Sequence, residues 1–386
     1  MTQKHVGRTS FPRPPTPYER YMIEEDIPIH RGMTGARDGR ELARGPWKRR
    51  NAKGAFIELA GLGNIQGLYT LEIAQGSGTA PEHHLFEEVF VVLEGKGHTE
   101  VWTGDGPKDV VKWSDFSVFT VPLNAQHRHV ASQSGPAVLL VANNAPPIMQ
   151  VYRSRSFVFG CDYRFTDRYN PGSGYYDVKP LKEHPMNGRA WNTNALIPDV
   201  RTVEVPWDGQ RGAGHHHFEL QMGGNHYEGF VAEYESGTYS RAHAHGPGAI
   251  LVCVKGGGYT LSWPKRFGTQ PWATGAADEV IRTEYGTGGF VSAAPGGSDW
   301  FHAHFATSRE PFRVCTMSGG TSRPVLGKPG DIVSENQDMN EGGDSIGYAD
   351  EDPMIREIYK RALAANGVSF KMAEELYRSP SLVGDR

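Results

Sequence analysis

The chain has 386 residues, too many for one ordinary hydrophobic core, and this length indicates two domains with extensions. Apolar residues make up 38% and charged residues 22%, which fits a soluble globular protein. A formal net charge of -4 argues against nucleic acid and against an anionic membrane as the main partner.

The N-terminal segment, residues 1–54, is rich in proline and arginine and is predicted to be an extended arm that lies on something, such as a partner subunit. It begins with no apolar run like that of a secretory leader, and no stretch of the chain approaches the ~18 apolar residues of a membrane span. A cytoplasmic protein is therefore expected. The three cysteines have no paired spacing, and Cys253 and Cys315 lie in apolar runs that predict buried, inert thiols.

The remaining chain divides into four segments. Residues 55–150 and 216–320 each contain short apolar runs separated by glycine, proline and asparagine, at the spacing of about 8–12 residues that is typical of all-β domains. Residues 151–215 are irregular and aromatic and are interpreted as a connector. Residues 321–386 begin with a polar, acidic loop, and apolar residues at helical spacing over 352–378 predict one or two terminal helices.

An internal repeat relates the two β segments. A proline-led turn followed by His127-Arg-His129 in the first half is echoed by one that leads to His302-Ala-His304 in the second. The second copy has two extra residues in that turn. Three further pairs are all separated by one constant offset along the chain: Gly76 and Gly237, His84 and His245, Gly95 and Gly256. The repeat predicts a pair of similar β-barrels.

Histidines in the second half have the spacing of a metal site. His243 and His245 are two residues apart in an expected strand, so their side chains share a face. His302 begins another short strand after a turn. Three imidazoles that face into a small barrel would leave open positions on an ion for substrate or water.

At these residues the chain resembles the cupin superfamily, in particular the two-barrel bicupins, over about residues 57–317. In the first motif of that family, five residues separate a glycine from an H-x-H pair, and Gly237, His243 and His245 match it. His302 matches the histidine of the second motif. The resemblance implies two tandem double-stranded β-helix barrels, all-β, with an N-terminal arm and a C-terminal helical tail. It also implies a divalent metal ion on His243, His245 and His302.

The chain departs from the first motif at Ala249, which stands where the family has a glutamate. Three neutral ligands would leave the full 2+ charge of the ion and would favour an anionic, chelating substrate. The gentisate- and salicylate-cleaving bicupins and the thiol dioxygenases are similar in using three histidines on Fe(II). The similarity favours Fe(II) and O2 chemistry, although Mn, Ni, Cu and Zn also suit three histidines.

The first half departs differently, because Glu82 occupies the position of the first motif histidine. His84, Glu88 and His127 would form a second site of two histidines and one carboxylate, with Glu82 as a possible fourth ligand. A barrel with a broken motif, retained only for packing, is the alternative.

Three further residues are predicted to act near the C-terminal ion. His304 follows His302 by two residues and should share its face, as a substrate contact or a hydrogen-bonded neighbour. Tyr259 is a candidate for proton transfer or an aromatic pocket wall, against the alternative of core packing. Arg241 precedes His243 by two residues and is a candidate anchor for a substrate carboxylate, with an ordinary ion pair as the alternative.

The run His215-His216-His217 is not predicted to be a site. Consecutive residues on an extended chain alternate faces, so three in a row do not converge on one ion. The preceding Gly-Ala-Gly predicts a flexible loop.

The main hypothesis from sequence is a non-haem Fe(II) dioxygenase of a small aromatic or enolisable acid. A metal-dependent lyase, isomerase or decarboxylase that works without O2 is the second hypothesis, and a non-enzymatic ligand-binding cupin is the third. The expected partners are a small, anionic substrate, O2 in the first case, and further copies of the chain in a homo-oligomer.

Overall fold

The computed structural model describes the chain over residues 14–62, 65–185, 187–246, 249–297, 299–318 and 336–378. The α-helices in these residues are α1 (Pro17–Glu24), α2 (Ala145–Tyr152), α3 (Arg155–Gly160) and α4 (Pro353–Asn366). Within the described ranges, no helix is both long and apolar enough for a membrane span.

Strands account for most of the regular structure, as the short, evenly spaced apolar runs predict. They are β1 (Ile29–Met33), β2 (Gly35–Ala36), β3 (Gly45–Trp47), β4 (Ala52–Leu59), β5 (Gly67–Ile73), β6 (Glu88–Glu94), β7 (Gly97–Trp102), β8 (Asp109–Trp113), β9 (Val118–Thr120), β10 (Gln126–Ala131), β11 (Ala137–Asn143), β12 (Lys182–Glu183), β13 (Ala190–Asn192), β14 (Leu196–Ile197), β15 (His215–Gln221), β16 (Glu228–Tyr234), β17 (Ala249–Lys255), β18 (Gly257–Pro264), β19 (Ile281–Gly286), β20 (Phe290–Ser292), β21 (Trp300–Ala306) and β22 (Phe312–Ser318).

Two large and two small sheets form two similar halves. In the N-terminal barrel, the strand order is β1-β4-β5-β11-β6-β9-β14 in the large sheet, with β3 beside β4, and β10-β7-β8 in the small one. In the C-terminal barrel, the orders are β12-β13-β15-β16-β22-β17-β20-β2 and β19-β18-β21. The prediction of two tandem double-stranded β-helix barrels, with an N-terminal arm and a C-terminal helical tail, is confirmed.

The arm is built into both barrels of its own chain. Strand β1 pairs in parallel with β4 of the N-terminal barrel, while β2 pairs antiparallel with β20 of the C-terminal barrel. Helix α1 begins with a capping box, in which Thr16 and Glu19 each bond the backbone N–H of the other. The sequence prediction of an extended arm is therefore incomplete, since the arm contains a helix and contributes a strand to each large sheet.

Side-chain alternation along the strands produces two interiors and a shared core. The N-terminal barrel is filled with large rings, among them Phe56, Tyr69 and Phe90. Residues on the opposite faces of the large sheets, such as Leu140 and Phe218, pack together in one buried cluster that contains side chains from both barrels. The two barrels therefore share a hydrophobic core.

The C-terminal tail covers the outer face of the small sheet in the C-terminal barrel. Helix α4 begins at the N-cap Asp352, whose side chain accepts from the Met354 N–H. Its apolar stripe, Ile355, Tyr359 and Leu363, is buried in a cluster with the outward-facing aromatic side chains of β18 and β21.

Candidate metal centres

The C-terminal cluster consists of His243, His302 and His304, which each offer a ligand atom within 4.8 Å of the others. Two elements bring them together. Strand β21 turns His302 and His304 to the same side, because they are two residues apart. The backbone of His243 pairs with that of His302 through two N–H···O bonds of 2.9 Å.

His302 is surrounded by the rings of three other histidines. Its ring centroid is 4.3 Å from that of His243, 4.7 Å from His245 and 5.4 Å from His304. The side chain is fully buried, and neither ring nitrogen has a hydrogen-bond partner among the described residues. The rings of the predicted ligands His243, His245 and His302 lie close together, but the set whose ligand atoms lie within 4.8 Å of one another contains His304 in place of His245.

Backbone carbonyls orient two of these rings. His243 Nδ1 lies 2.9 Å from the Arg241 carbonyl oxygen, and His245 Nδ1 lies 2.7 Å from that of Gly246. Because a carbonyl oxygen only accepts, each Nδ1 donates, and in the neutral ring Nε2 carries the lone pair. This is the arrangement in which a metal-binding histidine is normally held.

Burial keeps the rings of the C-terminal cluster neutral. It lowers the pKa of His302 well below its usual range, and the neighbouring histidines lower it further. Burial and the Arg211 guanidinium likewise lower the pKa of His243, and those two causes lower the pKa of His304 to about 3. Neutral imidazoles are the form that binds a metal ion.

A buried arginine lies against this cluster and was missed from sequence. Arg211 Nη1 donates to His243 Nε2 at 2.6 Å, and Arg211 Nε donates to Asn336 Oδ1 at 2.9 Å. A metal ion on that His243 nitrogen would replace the bond to Arg211. The repeat contains the signal that could have found this residue, because its counterpart at the same offset, Arg50, is also a buried arginine.

His304 is held by the same contacts as its counterpart in the first barrel. Its Nδ1 lies 3.0 Å from Thr260 Oγ1, and its backbone N–H donates to Ser240 Oγ. His129 bonds Thr99 Oγ1 and a second threonine hydroxyl in the same way. The contact to Thr260 fixes the ring and leaves Nε2 as the nitrogen that could exchange a proton.

Two predicted residues lie away from the cluster. Tyr259 pairs with Phe305 across β18 and β21 and stacks on it at 4.6 Å, so it faces outwards, opposite to His304. Arg241 is buried and donates to the carbonyl oxygens of Gln210 and Asn336. Tyr259 thus matches the packing alternative, in the outer core, and Arg241 matches the ion-pair alternative, since its Nη1 lies 3.8 Å from Asp338 Oδ2.

The N-terminal cluster consists of Glu82, His84, Glu88 and His127, whose ligand atoms also lie within 4.8 Å of one another. The backbones of Glu82 and His127 are paired like those of His243 and His302. His127 Nδ1 lies 3.1 Å from the Ala125 carbonyl, while its Nε2 has no hydrogen-bond partner in the described structure. This donor set also suits a metal ion.

Protein groups already neutralise both carboxylates of the N-terminal cluster. Glu82 forms ion pairs with Arg49, at 2.7 Å, and with Arg50. Glu88 accepts from the Tyr69 hydroxyl at 2.7 Å and contacts His84 Nε2 at 3.2 Å. Burial would raise the pKa of each carboxyl. At Glu82, however, Arg50 and His127 lower the pKa below its usual range. At Glu88, His84 and Arg50 lower the pKa.

The histidine run on β15 contributes two rings to the interior of the C-terminal barrel. His215 and His217 pair with Tyr234 and Ala232 of β16 and are buried, whereas the intervening His216 is half-buried and faces the other way. Strand alternation, which argues against a site of three adjacent histidines, places two of them on one face. The sequence analysis did not predict that His215 and His217 share a buried face.

No family model and no curated protein matches the sequence. A variant of oxalate decarboxylase from Bacillus subtilis superposes with a TM-score of 0.46 at 9% identity, covering 75% of this chain and 78% of its own. The 7S globulin of Momordica charantia gives 0.46 at 12% identity over 75% and 85%. These matches are too distant to carry an argument, so the fold rests on the strand pairings and the site on its geometry.

Proposed function

We propose that this protein is a metal-dependent enzyme that acts on a small carboxylic acid in the C-terminal barrel, as a lyase, isomerase or decarboxylase without O2. The residues proposed to hold the ion are His243, His245 and His302, with His304 beside them. When bound, a divalent ion would act as a Lewis acid towards a substrate carboxylate or enolate oxygen.

The observation that carries the proposal is the state of His302. A fully buried imidazole without hydrogen bonds is costly, by roughly 1–3 kcal/mol for each unsatisfied group. The described structure gives His302 no partner, yet surrounds it with three more imidazoles. An ion would satisfy this arrangement, because it requires neutral nitrogen donors that converge on one point.

The charges of the two barrels favour the C-terminal one as the reactive centre. Its motif position 249 is an alanine, and His243 occupies the position that Glu82 has in the first barrel. The C-terminal cluster therefore contains no carboxylate, and the Arg211 guanidinium adds positive charge beside it. Such a site favours an anionic ligand.

His304 is the residue proposed to move the proton. Thr260 holds its Nδ1, and its ring lies 5.4 Å from that of His302. Burial and Arg211 lower its pKa to about 3, so the ring is neutral at pH 7 and would accept a proton only from a substrate group that the ion has made more acidic.

We expect His304→Gln to lower kcat by about 100-fold or more, since a positioned general base contributes about that much, while the metal content stays unchanged. The assay measures consumption of small carboxylic acids under strictly anaerobic conditions, with metal analysis of the same samples. Full anaerobic activity in His304→Gln would exclude His304 as the proton carrier.

A second candidate is the Fe(II) dioxygenase of a small aromatic or enolisable acid, which the set of three neutral histidines favours. Turnover that stops without O2 and consumes one O2 per substrate would select it. Turnover at the same rate in the absence of O2 would select the lyase, isomerase or decarboxylase.

A further inference from the structure

Two buried histidines lie in the C-terminal barrel beyond the candidate metal ligands. His217 is buried, and neither of its ring nitrogens has a hydrogen-bond partner among the described residues. His215 is fully buried; its Nδ1 lies 3.3 Å from Asp208 Oδ1, and no hydrogen bond to Nε2 is found in the described part of the chain. Burial lowers the pKa of His215 to about 4 and that of His217 well below its usual range, so both are neutral.

Ring contacts connect His215 and His217 to the C-terminal cluster. The ring centroids of His217 and His215 are 5.6 Å apart, and His215 lies 5.3 Å from Tyr234. Tyr234 lies 6.1 Å from His304, which is 5.4 Å from His302. A continuous line of polar rings therefore runs along the interior from the proposed metal ligands to His217.

The same positions in the N-terminal barrel are apolar. Gly54 pairs with Leu71 where His217 pairs with Ala232, so His217 corresponds to Gly54, His215 to Ala52 and Tyr234 to Ile73. Ile73 is buried in the core of that barrel, and Gly54 packs against the ring of Trp47. A barrel of this fold is therefore stable with apolar side chains here, so the architecture itself does not require histidines.

Keeping unsatisfied imidazoles in an interior costs stability, which makes His215 and His217 candidate ligand-binding groups. A neutral imidazole offers one donor and one acceptor, and the two rings together present both types. The ring of His217 is additionally held by stacking on Phe230 at 4.9 Å. A ligand with a hydroxyl or carboxylate at this depth would satisfy both kinds of group.

We propose, resting on the metal-dependent function above, that His215 and His217 form a second binding subsite for the far end of the substrate. The substrate class is then a bifunctional acid: one carboxylate binds at the C-terminal cluster, and a hydroxyl or second carboxylate hydrogen-bonds to His215 and His217. Tyr234 lies between the two ends, 5.3 Å from His215 and 6.1 Å from His304. A simple monocarboxylate would occupy only the first subsite.

The test is calorimetric titration of the metal-loaded, full-length protein with acetate and with four bifunctional acids: malonate, succinate, malate and 2,5-dihydroxybenzoate. The main variant is His217→Phe, which removes both ring nitrogens and keeps an aromatic ring that can stack on Phe230. The matched control is His216→Phe, the same change on the opposite face of β15. Should His217→Phe fail to fold by circular dichroism, His217→Leu replaces it.

At least one bifunctional acid is expected to bind ten times more tightly than acetate. His217→Phe should remove that advantage, with acetate affinity and metal content unchanged, and His216→Phe should bind like the natural protein. Equal binding of all five acids, or equal binding by His217→Phe and the natural protein, would overturn the subsite.

Calorimetry measures binding and not turnover, so a separate turnover assay distinguishes failure of the subsite from failure of the proposed reaction. Acid binding that depends on His217 without turnover of any acid would remove the proposed reaction and leave the subsite. Turnover that is unaffected by His217→Phe, with unchanged affinity, would remove the subsite and leave the reaction.

Discussion

Single residues support the C-terminal barrel as the proposed reactive one. In the N-terminal cluster, Glu82 is ion-paired with Arg49 and Arg50, and Glu88 contacts Tyr69 and His84, while Glu82 Oε1 and His127 Nε2 make no hydrogen bond in the described residues. In the C-terminal cluster, His302 has no hydrogen-bond partner for either nitrogen in the described residues. Sequence indicated both ligand sets and favoured the C-terminal one for its closer match to the motif, but it did not reveal the contacts of Arg49, Arg50 and Tyr69 with the two carboxylates.

Glu351 is a second residue whose environment has a measurable effect. Burial raises the pKa of its carboxyl to about 8, and the Tyr239 hydroxyl, which donates to it, and Arg356 offset only part of that effect. The native state therefore holds a proton that the unfolded state releases above its ordinary pKa of 4.5. Stability from this group is fully present below the unfolded value and is lost as the pH rises towards and through 8.

Between pH 5 and pH 8, we expect Glu351 to lower the free energy of unfolding by roughly 3 kcal/mol. Glu351→Gln should remove most of this pH dependence, because the amide keeps the shape and does not ionise. Urea unfolding at both pH values checks it, with the exposed Glu375→Gln as the control. An unchanged pH slope in Glu351→Gln would show that another group causes the dependence.

At the scale of elements, most of the confirmed predictions come from the spacing of apolar residues, in short runs for strands and at helical intervals for α4. The strands of both barrels and helix α4 follow from apolar spacing. The sequence did not reveal α1, since residues 1–54 read as a proline-rich arm. Sequence did not reveal that Tyr259 faces away from His304, because its face is set by pairing with Phe305, a register that no local pattern encodes.

The tail is held by its apolar stripe, so shortening one side chain should weaken it. Leu363 is buried in the cluster beneath α4, and Leu363→Ala should cost about 2–4 kcal/mol of stability through the cavity that it leaves. The exposed Arg361→Ala on the same helix is the control, and urea unfolding measures both variants. A loss of stability in Leu363→Ala no larger than that in Arg361→Ala would contradict this packing.

At the scale of the whole molecule, the shared core should make the two barrels unfold together. One buried cluster contains Leu140 from the first barrel and Phe218 from the second, and the Tyr227 hydroxyl donates to Gln66 across the halves at 2.6 Å. The arm adds a strand to each large sheet. Independent domains would lack such connections.

Scanning calorimetry should therefore show one main transition. Phe90→Ala in the N-terminal barrel and Phe312→Ala in the C-terminal barrel should each lower the temperature of that same transition, because both side chains are fully buried. Two transitions, each shifted only by the variant in its own barrel, would contradict a shared core. A homo-oligomer stays a prediction from sequence.

The most direct test of the central claim, one ion in the C-terminal barrel, is metal analysis by mass spectrometry on anaerobically purified protein. The account predicts about one divalent ion per chain. His302→Ala should lose the ion, and a double variant with Glu88→Gln and His127→Ala should keep it. Retention of the ion by His302→Ala, with loss in the double variant, would place the metal in the N-terminal barrel and contradict the account.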